Sequence, residues 1–115
     1  MAGMERFTQR ARRVLSLAHQ EAERMRQNTI NTEHLLLGLI QEEGGIAGRV
    51  LRDLGLEPER VQDIVDRVTG IGQSYSGKID LSPGVQQVLE FAIEEARRMG
   101  HHYIDKEPEV VFYNR

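Results

Sequence analysis

Two hydroxyls and two carboxylates recur in this 115-residue chain at one separation: Thr8 and Ser82 lie 74 residues apart (82 − 8), as do Glu33 and Glu107 (107 − 33). Thr8 and Ser82 stand where helical patterns begin. Each therefore offers a hydroxyl beside several free backbone N–H groups, with the helix dipole adding positive potential. Such a place seats an anion, a phosphate above all. Glu33 and Glu107 stand at the start of the next pattern, where a carboxylate can accept paired hydrogen bonds from a guanidinium. An anion seat beside a carboxylate suits an arginine-based phosphate. The same residues also read as plain helix caps, with Thr32 the cap in front of Glu33. Residue type and spacing leave both readings open.

Other chemistry is poorly supported. The string Gly72-Gln73-Ser74-Tyr75-Ser76-Gly77-Lys78 has phosphate-loop spacing, but Ile79 stands where the magnesium-binding hydroxyl belongs, and a helical pattern precedes it where a strand is required. Nucleotide binding is not expected. His19, His34, His101 and His102 include no pair at i, i+4 around a glutamate, so surface or capping roles are expected in place of zinc ligation. No Gly-x-Ser-x-Gly elbow occurs, and none of Ser16, Ser74, Ser76 or Ser82 has an activating context. Catalysis is not expected, and no metal or cofactor site is assigned.

The elements that must position these groups are helical. Ala11, Val14, Leu15, Ala18, Ala22 and Met25 fall at steps of three and four, predicting a first helix capped by Thr8. Thr32 caps a second with inner face Leu35, Leu36, Leu39 and Ile40, ended by Gly44-Gly45. A third runs from Ile46 to Leu54. A fourth starts near Pro58 and carries Val61, Ile64, Val65 and Val68 to Gly70. Arg10, Arg12 and Arg13 read as solvating the first helix. Residues 70–80 are rich in Gly and Ser and read as a flexible linker.

Beyond that linker the first helix repeats. Adding 74 pairs Val14 with Val88, Leu15 with Leu89, Ala18 with Ala92, Glu21 with Glu95, Ala22 with Ala96, Arg24 with Arg98, Met25 with Met99, Ile30 with Ile104 and Glu33 with Glu107. Nine ungapped identities, on the buried face and at the next helix start, indicate an internal repeat. The organisation is a first four-helix repeat (1–69), the linker (70–80) and a partial second repeat with a divergent tail (81–115). Since the second copy stops short, Val88, Leu89, Ala92 and Met99 are expected to lack partners, which favours dimerisation or marginal stability.

Composition bounds the remaining possibilities. Fifteen Lys+Arg against 18 Asp+Glu give a net charge of −3, which argues against phosphate-driven nucleic-acid binding. Thirteen of the basic residues are Arg, so only a local patch could serve that purpose. With no cysteine there is no disulfide, thiolate-metal site or thiol nucleophile. No apolar run approaches the ~20 residues of a membrane span, and no signal-peptide pattern opens the chain. A cytoplasmic, membrane-free setting is the expectation.

Four motifs together carry a family likeness: Arg6-Phe7-Thr8-Gln9-Arg10-Ala11, the block Asn31-Thr32-Glu33-His34 through Ile40, Glu43-Gly44-Gly45-Ile46-Ala47, and the half-copy from Leu81 to Ile104. Over residues 4–107 the chain resembles the N-terminal domain of ClpC-type Clp ATPases. The resemblance implies an all-α fold of tandem four-helix repeats, here with the second repeat incomplete. It also implies a non-catalytic role: docking adaptor proteins and marked or misfolded substrates for the ClpP peptidase, which is reached through the parent ATPase. ATP and magnesium would belong to that ATPase's AAA+ modules. In some members the glutamate of a Gly-Thr-Glu-His motif grips phosphoarginine. Glu33 matches it, with Thr8 on the phosphate side and Ser82 and Glu107 as repeat equivalents. The second motif departs, reading Asp105-Lys106-Glu107-Pro108 without the cap hydroxyl, whereas the first has only Asn31 for Gly. A different reading of the same residues is a stand-alone truncated helical protein that self-associates and sequesters adaptors or substrates.

Overall fold

The apolar steps of the sequence become helices in the computed structural model, which describes residues 9–42 and 44–99. The described elements are α1 (Gln9–Arg24), β1 (Thr29–Ile30), α2 (Thr32–Gln41), α3 (Ile46–Asp53), α4 (Pro58–Thr69), β2 (Asp80–Leu81) and α5 (Pro83–Arg98). The fold is all-α. Its two-residue strands serve one purpose: they pair in parallel, Thr29 opposite Asp80 and Ile30 opposite Leu81. That pairing sets the start of α5 beside the start of α2.

The repeat is exact in the bounds of its first helix, since 9 + 74 = 83 and 24 + 74 = 98 map α1 onto α5. All six apolar residues assigned to the inner face of the first helix, Ala11 to Met25, are buried. α1 ends in a left-handed turn. Arg26 adopts φ 56°, its N–H reaches the Glu23 carbonyl, and the Gln27 N–H reaches Ala22, the paired bonds of a Schellman motif. A non-glycine residue in this conformation costs about 1 kcal/mol, and the Arg26 guanidinium lies over the Tyr75 ring, 5.3 Å from its centroid. At the equivalent position the second copy has Gly100.

α2 packs closely on α1 because Gly38 has no side chain: a Cβ there would come within 2.4 Å of the Val14 carbonyl oxygen. Two apolar clusters lie on different faces of α2. Leu35 joins Val14, Leu15, Ala18, Ile30, Val85 and Leu89. Leu37 and Ile40 join Met25, Val61 and Val65, with Leu51 packed alongside. Leu89, expected to lack cover, is therefore buried.

Four expectations change. Asn31, not Thr32, is the N-cap of α2, and Thr32 is its first helical residue. Leu37 is buried where Leu36 was expected, because α2 lies between α1 and α4 and its inner arc is turned toward both. On α4 only Val61 and Val65 are buried, while Ile64 is 50% and Val68 81% exposed. The Gly/Ser stretch at 70–80 is pinned to the α1–β1 connection: the Gly72 N–H donates to the Met25 carbonyl, Asn28 Nδ2 to the Ser74 carbonyl, and Asn28 Oδ1 accepts from the Ser76 N–H at 2.9 Å. Gly72 must be glycine there, as a Cβ would meet the Arg26 carbonyl oxygen at 2.0 Å. Residues 100–115, including the Ile104 and Glu107 of the repeat, lie outside the described residues, as does Thr8.

Gly38→Ala tests the close packing. Ala gains up to about 1 kcal/mol in helix propensity over Gly, but displacing the Val14 backbone costs typically ~1–3 kcal/mol. A lower melting temperature is expected; an unchanged or higher one would show that α1 and α2 can separate without cost.

Candidate functional site

The head of α2 is built from Asn31, Glu33 and His34, which have different duties. The Asn31 carbonyl accepts from the His34 and Leu35 N–H groups, opening the helix. The Asn31 N–H in turn donates to His34 Nδ1 at 2.9 Å. Because Nδ1 accepts, the proton sits on Nε2, which is buried and has no partner among the described residues. His34 is thus fully enclosed, neutral, and committed to shaping this turn.

Glu33 sits in the first turn, half-buried, where the helix dipole favours a carboxylate. Thr69 Oγ1, at the end of α4, donates to its Oε2 at 3.4 Å, a long contact. Five acids among the described residues are buried or half-buried: Glu21, Glu33, Glu42, Asp66 and Glu95. Four of them hold an arginine. Arg24 joins Glu21 and Asp66, Arg13 joins Glu42 at 3.0 Å, and Arg98 joins Glu95. Of these five, only Glu33 carries no cation among the described residues.

Thr32 and Ser82 come together, as the parallel strands dictate. A Cβ on Gly84 would lie 3.9 Å from Ser82 Oγ and 4.0 Å from Thr32 Cγ2. Ser82 caps α5 as expected, its Oγ accepting from the Val85 N–H at 3.2 Å, and it is buried. Its oxygen therefore already accepts one bond, from the helix it caps. Thr32 is exposed, and Glu33 meets α4 instead. The structure sets Thr32 and Ser82 both beside Gly84 and brings Glu33 to Thr69; Thr8 and Glu107 are outside the described residues.

Sequence reasoning missed the polar network that fixes α4 behind Glu33. Glu21 Oε1 accepts from Arg24 Nε and Nη2 at 3.0 and 2.8 Å and from Gln62 Nε2 at 3.2 Å, and its Oε2 accepts from Gln41 Nε2 at 3.1 Å. Arg24 also grips Asp66 through two bonds of 2.7 and 3.2 Å; this hydrogen bonding to Asp66 is the main cause holding the Arg24 pKa above its ordinary value. The signal was present in the repeat, where Glu21 and Arg24 recur as Glu95 and Arg98. Thr69 gave no signal. Nor do the arginines of α1 only solvate it, since Arg13 ties α1 to buried Glu42 at the end of α2. Among the described residues no group of His, Asp or Glu could hold a metal ion, and no helix is long and apolar enough to cross a membrane.

These features define an all-helical repeat domain that presents an uncompensated carboxylate at a helix head. The chain belongs to the Clp repeat (R) N-terminal domain family, whose model matches residues 6–110. It is 46% identical over 102 residues to the Bacillus subtilis (strain 168) protein named negative regulator of genetic competence ClpC/MecB. To the chaperone protein ClpB of Oceanobacillus iheyensis it is 43% identical over 102 residues. Each match covers 89% of this chain but 13% of the relative's length. The fold is shared with the N-terminal domain of the caseinolytic protease associated chaperone ClpD from Arabidopsis thaliana, with a TM-score of 0.69 and 30% identity over 94% of this chain and 75% of that one.

His34 makes the α2 head sensitive to pH. Burial pushes its pKa below the ordinary 6.5; Glu33 and Glu21 oppose this and Arg24 adds to it. As pH falls through 6.5 the unfolded chain takes a proton that folded His34 resists, so its contribution to stability falls below that pH and is constant above it. The melting temperature is expected to drop between about pH 7 and pH 5.5. In His34→Gln, whose amide oxygen can still accept from the Asn31 N–H, the drop should be shallower. Parallel slopes for the two proteins would remove His34 as the cause.

Proposed function

We propose that this chain is the non-catalytic recognition domain of a Clp-type protein unfoldase, docking adaptors and marked substrates, and that Glu33 reads phosphorylated arginine on those proteins. The observation that carries the reading is the state of Glu33: a half-buried carboxylate in a first helical turn, the one enclosed acid among the described residues without an arginine. A guanidinium approaching it would complete the pairing that Glu21, Glu42, Asp66 and Glu95 already have. The phosphate side of the site falls to Thr8, by the family resemblance. The equivalent pair in the second copy is Ser82 and Glu107, and there the Ser82 hydroxyl already serves the α5 cap. ClpP peptidase, ATP and magnesium enter through the parent ATPase.

The test is an NMR titration with free phosphoarginine, using phosphoserine and arginine at equal concentration as controls. Shifts centred on Thr8, Thr32 and Glu33 are expected with phosphoarginine alone. Glu33→Ala should weaken binding at least tenfold while costing only about 0.3–1 kcal/mol of stability, the usual size of a dipole contribution. A folded variant that binds as well as the parent would dismiss the assignment.

Self-association is the second reading, and it rests on α5. Val88 and Met99 are 38% and 39% exposed, whereas their equivalents Val14 and Met25 are 3% and 1% exposed, and Phe91 is exposed beside them. Light scattering across a concentration series distinguishes the two. Growth of a dimer that Phe91→Ser abolishes is expected on this reading, and a monomer at every concentration would end it.

A further inference from the structure

Glu33 lies inside a turn that is closed twice between the same two residues. The His34 N–H donates to the Asn31 carbonyl at 3.0 Å, and the Asn31 N–H donates back to His34 Nδ1 at 2.9 Å. The first bond is the ordinary opening of a helix. The second depends on one side chain, because a helix head leaves its first N–H groups without backbone partners. The residue that usually returns such a bond from this position is glutamate or glutamine. Glutamate there would set a second carboxylate beside Glu33, and the two would compete for one guanidinium. Histidine returns the bond as a neutral acceptor, so Glu33 keeps the only formal charge between Asn31 and His34.

That acceptor is conditional on protonation. Neutral imidazole accepts at Nδ1 while Nε2 holds the proton, whereas imidazolium carries a proton on both nitrogens and accepts at neither. Protonation of His34 therefore sets two donors, the Asn31 N–H and a new Nδ1–H, against each other. It also places a cation next to the carboxylate that has none. Nothing else tethers the ring, since Nε2 is buried without a partner among the described residues. The charges around the ring are Glu33 on its own helix and Glu21 and Arg24 of α1, with Asp66 of α4 bound to that arginine. α5 meets this part of α2 through apolar Val85 and Leu89, which cluster with Leu35, and α3 packs at the far end, where Arg52 bonds the Ile40 carbonyl. Glu33 and Glu21 favour the imidazolium, but burial outweighs them and favours the neutral ring.

Resting on the reading of Glu33 given above, we propose that His34 is a positioning residue for phosphoarginine recognition: its neutral ring holds the turn that presents Glu33 to the guanidinium, and protonation of the ring releases the turn and supplies Glu33 with a competing cation. The mark is read while His34 is neutral, and acidification loosens the hold on it. The coupling is reciprocal. Whatever factor protonation removes from the affinity for phosphoarginine, bound phosphoarginine removes from the proton affinity of His34.

NMR of the whole chain, labelled at the histidine ring carbons, tests this reciprocity without altering a residue. The His34 titration is followed with and without saturating free phosphoarginine, with arginine and inorganic phosphate as controls. Its midpoint is expected to fall by about 0.7 to 1 pH unit with phosphoarginine, a five- to tenfold coupling. A midpoint that stays or rises overturns the coupling. Two variants then separate the acceptor from the charge. His34→Leu fills the site without an acceptor and should bind phosphoarginine at least fivefold more weakly at neutral pH, measured well below its melting temperature. His34→Gln restores an acceptor that does not titrate, so it should recover that loss and then bind more tightly than the parent as the pH falls through the His34 titration. The ratio of parent to His34→Gln affinity cancels the ligand's own titration. Parallel pH profiles for those two proteins, or a folded His34→Leu that binds as well as the parent, overturn the role of His34 while leaving Glu33 as the reader of the mark. If His34→Leu does not fold, the midpoint and the His34→Gln profile decide. Absence of phosphoarginine binding by the parent overturns both readings.

Discussion

The Glu21 carboxylate constrains everything around it. A buried ionised acid costs several kcal/mol unless it is paired and hydrogen-bonded, and Glu21 meets that demand with donors from three helices: Arg24 of α1, Gln41 of α2 and Gln62 of α4. Arg24 then extends the link to Asp66. The four partners can converge only when α4 lies antiparallel along α2 with its polar flank toward α1. That arrangement brings Thr69 to Glu33 and turns Ile64 and Val68 to the other side. The polar network and the contact that Glu33 makes with α4 thus follow from a single packing solution.

The second copy shows the same local pair in a different tertiary setting. Arg98 bonds both oxygens of Glu95 at 2.7 Å, but Arg98 is largely exposed. Solvent screens such an exposed ion pair, so it adds little to stability. In the first copy the pair organises three helices. An identical short motif therefore differs in energetic weight because of what its neighbours bury, and Val14 against Val88 and Met25 against Met99 show the same contrast in apolar contacts.

Backbone constraints deliver the site as much as side chains do. The parallel pairing of Ile30 with Leu81 puts two helix heads side by side, and the left-handed turn at Arg26 lets the chain reverse into β1. His34 closes the α2 head by accepting from Asn31 while its other nitrogen remains buried without a partner among the described residues. An unpaired buried donor costs about 1–3 kcal/mol. The geometry of the turn that holds Glu33 is bought with that penalty.

Much of this was legible without coordinates. Apolar steps of three and four identified the first four helices, the proline and serine starts and glycine stops marked their ends to within a residue or two, and the offset of 74 revealed the repeat whose α1 and α5 correspond residue for residue. Glu33 stood out because its type and place recur at Glu107. These properties are periodic or local, and a sequence records them directly. Tertiary structure alone decided which part of each apolar face is covered, so that Leu37 and not Leu36 is inside and Val68 is outside. It decided which groups converge on the Glu21–Arg24 pair, because Gln41, Gln62 and Asp66 are scattered along the chain and meet only when three helices pack. Glu33 is distinctive by contrast: the other enclosed acids among the described residues hold an arginine, from their own helix or from another, and it does not.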